Sequence, residues 1–253
     1  PYNHYNRATR STRQPGSSFK PVVYSTALAR GYTAASMLND APIVSEYGAD
    51  STLWRPSNFD GVFYGPILLR TALVKSRNLC TIRLAQQIGI PAIIERARLL
   101  GIDDNIPVNL SISLGSHSVT PLTMTEVYTS FASGGNRVRP RFVNHIADSW
   151  GHTIVNFMPE KTASISPENA YIVSSLLRDA VRFGTGYRAR APTRPIGGQT
   201  GPTHQTRDAP LIGFPQQLVR PVYAPSHISP PPGQLHTRSP GRRPPFRPHR
   251  KNG

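Results

Sequence analysis

Between Ser17 and Arg30 the apolar positions Val22, Val23, Ala27 and Leu28 recur at the three-and-four spacing of one helix face, and Gly31 stands where such a helix stops. Two further segments open with a hydroxyl residue followed by proline, the pairing of an N-cap with a first-turn proline. Thr120-Pro121 runs to Gly134-Gly135 and Ser166-Pro167 runs to Gly184, which predicts two long helices. Pro66 opens PILLRTALVKS, and Pro91 opens PAIIERARLL ahead of Gly101, in the same manner. Strand patterning is sparser and lies in the second half. RFVNHIADSWGHTIVNF holds two β-rich runs around an Asp-Ser-Trp-Gly turn, and RPIGGQTG and PLIGF are short extended candidates. Helix therefore outweighs sheet. Beyond Gln217 the periodicity vanishes into proline- and arginine-rich text that cannot bury enough apolar area to offset chain ordering. This divides the chain into a folded domain, 1–217, and a basic Pro/Arg-rich disordered tail, 218–253.

Composition sharpens that division. The 253 residues carry a formal charge of +16, and from Arg220 onward there are seven Lys or Arg, nine Pro and no acidic residue. A single cysteine, Cys80, excludes an intrachain disulfide and reads as a small buried apolar residue in LVKSRNLCTIRLA. No run reaches the roughly 18 apolar residues of a membrane span, and no signal peptide opens the chain. The histidines show no paired metal-ligand spacing. Trp54 and Trp150 read as packing residues, and the cluster Arg7, Arg10 and Arg13 reads as a solvated face that could also hold a nearby pocket positive.

The stretch RQPGSSFKP places Ser17 and Lys20 three positions apart after a Pro-Gly pair. A serine hydroxyl attacks only as a base takes its proton, and residues three apart share one helix face. Lysine serves as that base only where burial or positive neighbours favour its neutral form. Alone, Ser-x-x-Lys is also an ordinary capped helix start. Two further elements follow in order: Ser76-Arg77-Asn78 and Gly198-Gln199-Thr200-Gly201. The triple of Ser-x-x-Lys, Ser-x-Asn and Lys-Thr-Gly marks penicillin-recognising serine acyltransferases.

From about Tyr5 to Val219 the chain resembles the transpeptidase domain of bifunctional, class A penicillin-binding proteins of Gram-negative bacteria. YNRATRSTRQPGSSFKP, ASMLNDAPI, WRPSNFDGVFYGPILLRTALVKSRN, NLSISLGSHSVTPL, YTSFASGGNRV, SPENAYIVSSLLRDAVRFGTG and RDAPLIGF all look like blocks of that family in family order. The resemblance implies an α+β, β-lactamase/transpeptidase-like fold, with a helical subdomain packed on an antiparallel sheet that is incomplete here. It implies that Ser17 attacks the D-Ala-D-Ala carbonyl of a peptidoglycan stem peptide, with Lys20 as base. Ser76 would relay the proton, and Asn78 would hold the substrate amide and Lys20. On the third motif Thr200 would bind the substrate carboxylate, with Gln199 and Thr203 beside it, while Gly201 lets the strand approach the ligand. β-Lactams would acylate the same serine. No metal or organic cofactor is implied, and nucleic acid is not an expected partner. Full-length relatives would be periplasmic and held to the inner membrane, whereas this chain shows no anchor.

Three departures from the family pattern stand out. Gln199 replaces the lysine of Lys-Thr-Gly, removing a positive charge expected to hold a carboxylate and to favour neutral Lys20. Pro202 has no N–H where the family draws an oxyanion-hole donor. The flanking strands are missing, with at most two core strands expected, and the tail reads as an out-of-frame continuation. The alternatives are a genuine basic arm, and for the whole chain a non-catalytic remnant or basic module that binds anionic polymers.

Overall fold

The computed structural model describes residues 5–47, 52–103, 105–190, 196–201, 211–215 and 220–222. Among these residues seven α-helices run as α1 (Arg7–Arg10), α2 (Lys20–Ala29), α3 (Leu69–Val74), α4 (Asn78–Ile88), α5 (Ile90–Leu99), α6 (Pro121–Ala132) and α7 (Pro167–Phe183). Strands among the described residues are β1 (Met37–Asp40), β2 (Ser45–Tyr47), β3 (Thr52–Trp54), β4 (Gly65–Leu68), β5 (Asn136–Val138), β6 (His145–Ala147), β7 (Thr153–Asn156), β8 (Lys161–Ala163), β9 (Ile196–Thr200), β10 (Leu211–Pro215) and β11 (Arg220–Val222). The main sheet is antiparallel in the order β11-β10-β9, and the other strands form two-stranded ribbons.

Helix α2 lies at the centre. Every residue from Lys20 to Ala27 is buried, so it has no solvent face, as a core helix requires. It packs against α4, α5 and α7. Val22, Val23, Tyr24, Leu73, Leu84, Ile93, Val173 and Leu177 share one continuous apolar core. Polar links also cross it. Ser25 Oγ donates to Asn169 Oδ1 at 2.8 Å, and Asn169 Nδ2 returns a bond to the Ser25 carbonyl at 2.8 Å, joining α2 to α7. Ser174 Oγ on α7 donates to the Phe131 carbonyl of α6. Strand β9 lies against α7 and β10. Its Gly198 permits that approach, because a Cβ there would stand 2.7 Å from the Ile212 carbonyl oxygen.

The predicted helices at Thr120 and Ser166 are present with both hydroxyls acting as caps, to Thr123 N and Asn169 N. The extended candidates RPIGGQTG and PLIGF contain β9 and β10, and the runs around Asp-Ser-Trp-Gly are β6 and β7. Pro66, however, does not open a helix. It pairs with Asn39 in the two-stranded β1–β4 ribbon, where a missing N–H is tolerated on an edge, and α3 begins only at Leu69. Among the described residues the sheet has three strands, one more than the two expected. The third, Arg220–Val222, lies inside the segment expected to be disordered, while residues 223–253 fall outside the described ones.

Trp150 also departs from expectation. It is 81% exposed in the β6–β7 hairpin, whose strand residues are all exposed, so it is not a packing residue. Trp54 is partly buried against Ile43, Leu79 and Ile82. Cys80 is free and buried, as its apolar surroundings predict.

These environments predict different costs. Asn169→Ala strands the hydroxyl and carbonyl of Ser25 in the core and should cost about 2–3 kcal/mol in urea unfolding. Trp150→Ser removes only solvated surface and should stay within about 0.5 kcal/mol of the parent.

Candidate active site

Ser17 sits in a tight turn fixed from both sides. Gly16 takes a left-handed φ of 55° and donates its N–H to the Gly115 carbonyl at 3.2 Å. Gly115 is itself at φ 70°, and a Cβ there would fall 2.3 Å from the Gly16 carbonyl oxygen, so both positions need glycine. One turn earlier, Arg13 and Val119 exchange N–H···O bonds of 2.9 Å. Ser18 Oγ donates to the Pro15 carbonyl at 2.6 Å, and the buried Tyr128 hydroxyl donates to the Ser18 carbonyl at 2.9 Å.

The spacing predicts one α-helix from Ser17; instead Gly16–Phe19 is a 3₁₀ turn and α2 begins at Lys20. The reason is Pro21. It has no N–H to offer the Ser17 carbonyl four residues back, so Lys20 N–H bonds there from three residues away. The turn leaves Ser17 partly exposed and sends Phe19 and Lys20 inward.

Lys20 has no exposed surface. Its Nζ lies 2.6 Å from the Ser76 carbonyl oxygen, 2.9 Å from Ser76 Oγ and 2.8 Å from Asn78 Oδ1. As an ammonium it donates to all three. As a neutral amine it keeps two N–H bonds, to the carbonyl and the carboxamide oxygen, and its lone pair accepts from the Ser76 hydroxyl. Burial is the main force lowering its pKa from 10.5 to about 7, with the Arg77 charge adding to it. The positive neighbour is therefore Arg77, not the cluster Arg7, Arg10 and Arg13, and the amine reaches the neutral range without a lysine at position 199.

Ser76 and Asn78 are thus joined to Lys20 directly. Ser76 is the one described non-glycine residue with positive φ, at 53°. Asn78 opens α4, and its Nδ2 donates to the Ser57 carbonyl at 3.0 Å. Ser17 shares the turn leading into Lys20, yet its side chain makes no hydrogen bond to Lys20, Ser76 or Asn78.

The third motif approaches from the far side. Strand β9 packs against the Ser17 turn. Gln199 is fully buried, and its Nε2 donates to the Leu73 carbonyl at 3.3 Å, the same oxygen that accepts the Ser76 N–H at 2.9 Å. Its Oε1 accepts from the Thr185 hydroxyl and the Thr200 N–H, and Thr200 Oγ1 donates to Thr185 Oγ1 at 3.0 Å. Gly201 is buried at the end of the strand, while Pro202 and Thr203 lie outside the described residues. Gln199 is therefore turned into the protein, and the polar group β9 leaves least buried beside the turn is Thr200.

Sequence reasoning treated Arg77 as a spacer and missed Asp40, Asn58, Asp60 and Thr185. Arg77 Nε is 2.9 Å from Asp40 Oδ2 and Nη1 is 2.7 Å from Asp60 Oδ2; Nη2 donates to the Val62 carbonyl, and the guanidinium lies 4.4 Å from the Tyr64 ring centre. The sequence carries a faint signal for Asp40 alone, and none for its partners. Asp40 falls two residues after Leu38, on the same buried face of a short strand, and a carboxylate on such a face needs a partner that offsets its burial.

Comparison with known proteins places the chain in a family. The family model of the penicillin binding protein transpeptidase domain matches residues 2–210. Penicillin-binding protein 1A of Neisseria lactamica is 41% identical over 227 residues, spanning 87% of this chain and 28% of that protein. The Pseudomonas aeruginosa protein of the same name is 34% identical, over 87% of this chain and 33% of its own length. The chain thus spans about a third or less of these relatives. Among solved structures, penicillin-binding protein 1A from Haemophilus influenzae superposes with a TM-score of 0.77 at 29% identity, covering 83% of this chain and 37% of that one. Penicillin-binding protein A of M. tuberculosis, as an imipenem acyl-enzyme, superposes at 0.74 with 26% identity, covering 84% and 54%. With the first two motifs meeting at one buried amine, the third packed against the Ser17 turn and a family match over most of its length, the chain belongs to the penicillin-binding protein transpeptidase family, in its β-lactamase-like α+β fold, and is similar to class A proteins of Gram-negative bacteria.

Proposed function

We propose that the chain is a serine D,D-transpeptidase domain acting on peptidoglycan stem peptides at the periplasmic face of the inner membrane. The observation that carries this reading is the buried Lys20 amine, lowered to about 7 and held between Ser76 and Asn78 one turn from Ser17. The reading requires the Ser17 hydroxyl to rotate toward the amine, which takes its proton as the oxygen attacks the penultimate D-Ala carbonyl. The proton passes from Lys20 to Ser76 and on to the leaving D-alanine nitrogen. The C–N bond of the peptide breaks as the acyl C–O bond forms. An amine from a second stem peptide then takes the acyl group.

Among the described residues β9 is an edge strand, so its outer main chain offers pairing to an extended peptide, and Thr200 offers a hydroxyl to the terminal carboxylate. β-Lactams present the same carbonyl and carboxylate, and the M. tuberculosis relative is known as an imipenem acyl-enzyme. Turnover is limited by Pro202, whose missing N–H costs about 10²- to 10³-fold when it removes one oxyanion donor.

Labelling with a fluorescent penicillin tests this directly. The parent chain should give a covalent band that Ser17→Ala abolishes; soluble, folded parent with no band refutes the reading in favour of a non-catalytic module. Because the neutral amine is the active form, the acylation rate should rise about tenfold per pH unit below the Lys20 midpoint and flatten above it, near about 7.

A second measurement addresses the departures from the family pattern. The double variant Gln199→Lys with Pro202→Thr returns the family's side chain at the first position and an oxyanion N–H at the second, and should acylate at least about 10²-fold faster, the N–H supplying the gain. A rate equal to the parent's would show that these two positions do not limit the reaction.

A further inference from the structure

All three partners of the Lys20 amine come from the single segment Ser76–Asn78, so the geometry of the base depends on what holds that segment. The segment does not hold itself. Ser76 has the left-handed φ of 53°, which costs a non-glycine residue about 1 kcal/mol or more and persists only where surroundings impose it. Arg77 is the N-cap of α4 but makes no capping bond with its own side chain. Asn58 does this instead, its Oδ1 accepting the N–H groups of Asn78 at 2.9 Å and Leu79 at 3.3 Å.

Both supports lead to one carboxylate. Asp40 Oδ1 accepts from Asn58 Nδ2 at 2.8 Å, and Oδ2 accepts from Arg77 Nε at 2.9 Å and from Tyr64 N at 3.1 Å. Asp40 is fully buried, so water cannot replace it, whereas the second carboxylate on Arg77, that of Asp60, is 44% exposed. We propose that Asp40 is a positioning residue for acylation, holding Ser76 and Asn78 on the Lys20 amine through Arg77 and Asn58. The inference rests on the reading of Lys20 as the base.

The test uses the full chain and a fluorescent penicillin, with the maximal acylation rate, the half-saturation concentration and the fraction labelled measured separately. Asp40→Asn turns an amide N–H₂ against a donor. It should lower the maximal rate about 10- to 100-fold, as a small misplacement of a reacting group does, with half-saturation unchanged. Asp60→Asn, at the exposed arm, should change the rate by less than about 3-fold. The exchange Asp40→Asn with Asn58→Asp keeps the charge and nearly every donor-acceptor pair, and should recover most of the rate. Loss of labelled fraction and of melting temperature with the parent rate in the surviving molecules would overturn the proposal, as would parent rates throughout.

The chain has four lysines, so the Lys20 side chain can be followed by ¹³C NMR. A loosened segment admits water to the amine, and in Asp40→Asn the Lys20 midpoint should rise by about half a unit or more and return in the exchange variant. A midpoint unchanged or lowered overturns the proposal. This second readout needs no labelling: if the parent gives no Ser17-dependent band, the acylation reading fails, while the titration still decides whether Asp40 sets the amine's surroundings.

Discussion

A primary amine without exposed surface is the constraint around which the molecule is organised. An ammonium taken from water loses several kcal/mol of solvation unless partners replace it, and the neutral form is favoured as the site dries. Lys20 has found three oxygens that serve either form. The same arrangement therefore stabilises the charged amine enough to keep the helix buried and leaves it close to giving up its proton. Around it, local oddities become intelligible. Pro21 converts the entry to α2 into a 3₁₀ turn, the Gly16–Gly115 contact fixes that turn, and Ser76 accepts an unfavourable backbone angle to present two oxygens at once.

The site is assembled by shared acceptors rather than by a row of contacts. The Leu73 carbonyl takes both the Ser76 N–H and the Gln199 amide, so the second and third motifs meet at one oxygen. Thr185, just past α7, ties Gln199 to Thr200 by hydroxyl bonds. In this chain a neutral side chain at position 199 forms part of the wall between helix and strand. Its amide bonds to Leu73, Thr185 and Thr200 from a fully buried position, so the uncharged side chain is itself satisfied there without disturbing the fold.

Much of the helical scaffold was legible because its signals are local. A hydroxyl before proline marks the starts of α6 and α7, and glycine marks their ends, independently of what surrounds them. The β1–β4 ribbon was not legible, since Pro66 reads equally as a helix opener and as an edge-strand residue, and only pairing with Asn39 decides. The same limit applies to β11, whose proline and arginine suggest an unfolded tail until the edge of β10 is available. Within the site, Ser17 and Lys20 could be singled out from spacing, while Ser76 and Asn78 and the role of each came with the family resemblance. Asp40 and Asn58 could not be assigned a role, because 37 and 20 residues of chain separate them from the groups they bind. Long-range hydrogen bonds leave no periodicity in the sequence.

The two tryptophans have contrasting settings, and this gives the molecule a built-in optical contrast. Trp150, at the hairpin tip, emits as an indole surrounded by water and senses nothing of the interior. Trp54 rests on Leu79 and Ile82 of α4, four residues before Asn58, so its emission tracks the helix that carries Asn78. With the outer indole replaced by phenylalanine, steady-state fluorescence becomes a single-site gauge of how tightly that helix start is held, readable in seconds and without any substrate.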